Sequence, residues 1–238
     1  MKNRYLFLVL LLSAMTLVSC KKDTTPDVVI PPTVTPVNQN AGLGQAAGYP
    51  VGISYSLPDG ISVVGYIRGG ISGGKAPYEK TYKGPFKQET KANYVTLGTG
   101  TYVHLYMTLY NSLLTNISFS MPGGLIFIDS NDVFQHVPVY QKGYILQDVD
   151  VTVNALDTAY IELNAYCLNH TLSPSSYDAV YFFGPVTTNT QLNQVTNIMA
   201  SKQYPFGEEY NIQTIIWNIT DNGLTLTATE IAYLNSLP

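Results

Sequence analysis

Cys167 and Gln213 are the two side chains whose chemistry the chain poses most sharply. A thiol and a primary carboxamide can condense to a thioester with loss of ammonia, provided the fold brings them together and keeps water away. Cys167 closes an alternating run at residues 158–168, and Gln213 opens the apolar run IQTIIWNIT. The chain has two cysteines, and Cys20 follows an apolar leader, which leaves Cys167 without a disulfide partner in an oxidising compartment. The plainer reading is a buried structural cysteine beside an unrelated helical glutamine.

The elements needed to position this pair can be read from periodicity. In a strand over residues 158–168, Ala159, Ile161, Leu163, Ala165 and Cys167 share one face, which places the thiol at the core end of that strand. A helix over residues 212–220 puts Ile212, Ile215, Ile216 and Ile219 on one stripe, with Gln213 and Trp217 four apart beside it. With Asn211 as N-cap, Gln213 falls in the first turn, where free N–H groups lower a thiol pKa and stabilise an oxyanion.

Tyr166-Cys167-Leu168 together with Ile212-Gln213-Thr214-Ile215-Ile216-Trp217 resembles the paired motifs of bacterial surface-adhesin thioester domains. Those are an aromatic-Cys-apolar segment and a Q-x-A-[IV]-W helix. The resemblance implies that Cys167 accepts the acyl group of Gln213, that Tyr166 and Trp217 form the surrounding pocket, and that the bond reacts with amines on a host surface. It covers residues 165–225 and departs from the pattern in two ways. Ile215 stands where the family has a small Ala, and the anchor is lipid instead of a cell-wall sorting signal.

That anchor is read from the first twenty residues. Lys2 and Arg4 precede an apolar run at residues 5–19 that is short for a membrane span, and Leu17-Val18-Ser19-Cys20 follows. The tetrapeptide resembles the bacterial lipobox, which implies a signal peptide over residues 1–19 and acylation of Cys20 as the mature N-terminus. Residues 20–45, with Pro26, Pro31, Pro32 and Pro36, read as a disordered tether. Loss of residues 1–19 leaves 10 basic against 16 acidic residues, net −6, with no basic patch for nucleic acid.

The rest reads as mainly β with C-terminal helices, an α+β chain. An antiparallel β-sandwich is expected over residues 46–165 and a small helical, thioester-like region over residues 166–238. Residues 51–57 and 61–68 suggest a hairpin about Pro58-Asp59-Gly60. Residues 101–110 alternate strictly, with Val103, Leu105, Met107 and Leu109 opposite Tyr102, His104, Tyr106, Thr108 and Tyr110. Tyr102, Tyr106 and Tyr110 on that second face form an aromatic ladder able to stack sugars. Further strands are expected at residues 117–121, 125–128, 137–140, 145–153 and 180–183, with helices at residues 190–202 and after Thr227. Residues 69–77 imitate a phosphate loop, but Ala76 lacks the hydroxyl that would bind magnesium. Residues 129–132 read as a turn, since an acidic loop without EF-hand spacing is no calcium site.

Two function classes follow. One is a lipid-anchored attachment module of the cell envelope, at the outer membrane or cell surface, meeting an amine-bearing protein or glycan through a thioester. The other is a structural surface lipoprotein that binds glycan or protein without covalent chemistry. No enzyme is expected, because His104, His136 and His170 are scattered and no G-x-S-x-G spacing appears; neither cofactor nor metal is called for. Cys20→Ala should release the protein from the membrane fraction, as read by fractionation and blotting; unchanged membrane retention would contradict lipid anchoring.

Overall fold

The structure is a computed structural model, and it describes residues 39–71, 94–203 and 207–238. The leader, Cys20, most of the tether and the glycine loop from residue 72 onward lie outside the described residues.

Two long strands, Val103–Asn111 (β5) and Thr158–Cys167 (β10), are the spine of the fold. Their antiparallel register runs from Thr158↔Tyr110 to Ala165↔Val103. Period-2 alternation then puts Val103, Leu105, Met107 and Leu109 in one buried cluster with Ile161, Leu163, Ala165 and Cys167, which is the face expected from the sequence. Before β5 come β1 (Gly52–Ser54), β2 (Ile61–Val63), β3 (Ile67–Gly70) and β4 (Val95–Leu97). Between the long strands lie β6 (Ile117–Met121), β7 (Leu125–Asp129), β8 (Gly143–Tyr144) and β9 (Val149–Val153), and β11 (Val180–Thr187) follows.

Pairing makes a ring. From β10 the order is β5, β3, β11, β7 and β8, and β8 returns to β10, every contact antiparallel. The protein is therefore mainly β around a closed six-stranded barrel, where two stacked sheets were expected. Closure depends on the two-residue β8, whose Gly143 pairs with Cys167 and whose Tyr144 pairs with Tyr166. The separate antiparallel pair β6–β9 turns Met121, Val149, Val151 and Val153 into the same interior. Strand β4 runs parallel to β10.

The other face of β7, β8 and β10 carries a second apolar layer. Ile126, Ile128, Tyr144, Tyr166 and Leu168 pack against the helices α2 (Thr190–Met199), α3 (Glu209–Thr220) and α4 (Ala228–Ser236). Asn189 caps α2, accepting from the backbone N–H groups of Gln191 and Leu192. The Thr227/Glu230 capping box opens α4, as its sequence signature implies. Among the described residues no helix is long and apolar enough to cross a membrane.

Several local expectations are corrected. Residues 51–57 and 61–68 do not pair: β1 lies on β11, while β2 and β3 both lie on β5, separated by Gly65 at φ 73°. The turn Pro58-Asp59-Gly60 does form, with Ile61 N–H donating to Pro58 O, so the turn chemistry is right and the partner strand wrong. Residues 39–45 belong to the folded body instead of a tether: Leu43 is buried, and Gly44 N–H donates to Leu168 O. Gly44 sits at φ 54°, where an added Cβ would fall 2.0 Å from Thr220 O, so only glycine fits. Residues 129–132 start the short helix α1 (Ser130–Gln135). The Asp129 carboxylate accepts from the N–H groups of Asn131, Asp132, Val139 and Tyr140, which consumes the oxygens a cation would need. Asp132 pairs with buried Lys142 at 2.6 Å. Residues 137–140 form no strand beyond the single bridge Tyr140↔Ser173. Strand β11 runs four residues past the expected 180–183, with a register shift between Phe183 and Val186 that accommodates Pro185.

Leu163 is fully buried inside the barrel, so Leu163→Ala should cost about 2–5 kcal/mol. Exposed Asp150→Ala should stay within about 0.5 kcal/mol. Urea denaturation checks both; similar losses would contradict the β-strand facing described here.

Candidate functional site

Strand β10 outruns its neighbour. The last residue pair between β10 and β5 is Ala165↔Val103, so the backbone of Cys167 has no strand beside it on that edge. The side chain of Gln213 fills the gap. Cys167 N–H donates to Gln213 Oε1 at 2.8 Å, and Gln213 Nε2 donates to Cys167 O at 2.7 Å. The carboxamide thus pairs as a peptide group of an added strand would, and both residues are fully buried.

Helix α3 brings Gln213 there from 46 residues away in sequence. Its isoleucine stripe packs on the outer layer as expected, with Ile212, Ile215, Ile216 and Ile219 buried. Its start differs. The helix begins at Glu209 after Glu208, which makes no side-chain cap, and Asn211 is inside it, so Gln213 lies in the second turn. The free N–H groups of the first turn are therefore not aimed at Cys167. The carbonyl of Gln213 is instead polarised by the N–H of Cys167 itself.

Burial pushes the Cys167 thiol up to about 11, against a partial lowering by the Trp217 indole N–H and the Asn169 N–H and a further rise from Asp221. Asn169 N–H reaches the sulfur at 3.3 Å. Trp217 Nε1 is buried and has no hydrogen-bond partner of full geometry among the described residues. The indole meets Tyr102 edge-on at 5.0 Å and His170 at 4.9 Å. The N–H of His170 donates to both carboxylate oxygens of Asp221 at 3.2 Å, and burial raises the Asp221 pKa.

These rings border a cleft of about 490 Å³ lined by Ile71, Thr101, Tyr102, Gln141, His170, Pro174, Ser175 and Trp217. Trp217 therefore stands where the sequence reading puts it. Tyr166 does not: one residue from Cys167, it faces the opposite side of β10 and packs among the helices. The ladder of Tyr102, Tyr106 and Tyr110 is also broken up. Tyr106 is 2% exposed, donates to Glu162 Oε1 at 3.2 Å and is enclosed by Tyr94 and Tyr177, while Tyr102 belongs to the Trp217 cleft and Tyr110 lies opposite Ser62 and Thr158. Three tyrosines four residues apart share one side of the extended chain but no common open surface, because the neighbouring strands and loops cover each differently.

Sequence reasoning missed Gln141 and the stacking role of His170. Gln141 lies in an unpatterned loop and carries no signal, whereas His170 stands three residues beyond Cys167 and was legible as a neighbour. Among the described residues no cluster of three or more His, Cys, Asp or Glu is arranged to hold a metal. No family model matches the chain, and no curated protein or solved structure matches it either.

Gln213→Leu keeps apolar bulk but strands the N–H and C=O of Cys167 in a buried site. It should cost about 1–3 kcal/mol for each group left unmet, read from chemical denaturation. A loss below about 0.5 kcal/mol would mean that the clasp contributes nothing to folding.

Proposed function

We propose that this chain is a lipid-anchored attachment module of a bacterial cell surface, in which Cys167 and Gln213 condense to an internal thioester that captures an amine on a partner. The observation that carries the reading is the two-point contact between these residues, both fully buried and 46 positions apart. Apolar packing alone would put an aliphatic side chain at such a position. A glutamine whose carbonyl oxygen accepts from an N–H is an acyl group already polarised for attack.

In the condensation the Cys167 sulfur attacks the Gln213 carboxamide carbon, the C–N bond breaks, and ammonia leaves with the thiol proton. Capture is the reverse in kind. A primary amine attacks the thioester carbon, the C–S bond breaks, and the amine's proton returns to sulfur, leaving an amide on Gln213 and a free thiol at Cys167. Burial protects the thioester from water and raises the thiol toward 11, so condensation should quicken as pH rises from neutral toward that value. Trp217, whose indole acts on the Cys167 thiol, also lines the neighbouring cleft with Tyr102 and His170.

Intact-mass analysis tests this. The chain should weigh one ammonia less than its sequence, with Cys167 resistant to alkylation after denaturation. Methylamine should restore a free thiol and add its own mass at Gln213, and Cys167→Ala should abolish both changes. A full sequence mass with an alkylatable Cys167 would leave the pair as a structural clasp and contradict the thioester.

A further inference from the structure

The cleft beside Trp217 holds a polar atom that the fold itself leaves unmet. Gln141 is 6% exposed, and its Oε1 is buried with no hydrogen-bond partner among the described residues. Its backbone, by contrast, is engaged at both ends. The N–H donates to Ser173 O at 2.9 Å, and the C=O accepts from the Tyr181 hydroxyl at 3.0 Å. The backbone of Gln141 is thereby anchored at the wall of the cleft while its side chain has an acceptor to spare, an arrangement that a ligand donor would complete.

The surroundings narrow the donor. The Ser175 hydroxyl is already used, donating to Gly70 O at 2.7 Å and accepting from His104 N–H at 3.1 Å. A saccharide, which brings several hydroxyls, would find few buried partners here. The rings of Trp217 and Tyr102 offer apolar walls and a π-system, and among the described residues the lining contains neither lysine nor arginine. The chain as a whole is net −4. One spare acceptor, aromatic walls and a negative protein fit a slim cation with N–H donors, namely an unbranched primary alkylamine in its ammonium form.

We propose that Gln141 selects and positions the amine of this site, its Oε1 accepting a hydrogen bond from a primary alkylammonium whose stem lies along Trp217 and Tyr102. The ammonium gives one proton to solvent before its nitrogen can attack. The covalent consequence rests on the thioester reading; the recognition does not.

Trp217 is the sole tryptophan of the chain and reports occupancy directly. In full-length Cys167→Ala, where no thioester can form, n-butylamine hydrochloride at neutral pH should change the tryptophan emission saturably and n-butanol should not. Adding Gln141→Leu should weaken the n-butylamine midpoint about tenfold or more, the usual scale for a hydrogen bond to a charged group. Gln141→Glu, which keeps an acceptor, should retain binding and so separate recognition from any loss of fold. No saturable response to n-butylamine, or equal midpoints in the Gln141→Leu and unsubstituted backgrounds, would overturn the proposal. With Cys167 present, Gln141→Leu should keep the one-ammonia mass deficit yet capture n-butylamine about tenfold more slowly. Unchanged capture alongside that deficit would remove the positioning role alone. Absence of the deficit in the unsubstituted chain would instead remove the thioester, and the titration would still decide recognition.

Discussion

A strand that runs past its partner leaves an N–H and a C=O on its free edge, and buried groups of that kind must be met. In this protein the edge is at Cys167, and the group that meets it is the carboxamide of Gln213. Much of the architecture follows from that requirement. Helix α3 delivers that side chain, and its isoleucine stripe packs in one cluster with Tyr166 and Leu168. Gly44 must be glycine to pass Thr220 at the end of the same helix, and its N–H satisfies Leu168 O one residue beyond Cys167. The clasp thus joins barrel, helical layer and N-terminal segment within a few residues.

Two magnitudes bear on the proposed condensation. Losing Gln213 Nε2 as ammonia would forfeit its bond to Cys167 O, at a cost of about 1–3 kcal/mol. Holding two reacting residues together in a dry site is worth roughly 7–11 kcal/mol of barrier when their geometry is good. Proximity bears on the rate and the lost bond on the equilibrium, which the departure of ammonia draws forward. The raised thiol works against a fast reaction at neutral pH, while the N–H on the Gln213 carbonyl works for it.

What the sequence reveals and conceals divides along the range of the forces involved. Alternation in β5 and β10 is local, and it correctly assigns the inward faces from Val103 to Leu109 and from Ile161 to Cys167. Barrel closure is non-local and hangs on the two residues of β8, too few to show any period, so a sandwich was the natural expectation. The start of α3 is hidden because Glu208 makes no side-chain cap, and Asn211, which has capping chemistry, spends its amide on Glu208 from inside the helix. The encounter of Cys167 with Gln213 was legible through their paired motifs, whereas Gln141 owes its character wholly to tertiary neighbours. Tyr102, Tyr106 and Tyr110 show the limit of face assignment: sharing a side of a strand says nothing about what covers it.

Carbon NMR reads the acyl state of Gln213 directly. With glutamine labelled at the side-chain carbonyl carbon, the Gln213 signal, assigned by its absence in Gln213→Leu, should appear in the thioester region and return to the amide region in Cys167→Ala. A Gln213 carbonyl at the amide position in the unsubstituted chain, unmoved by Cys167→Ala, would contradict the thioester and leave the contact as a hydrogen-bonded clasp.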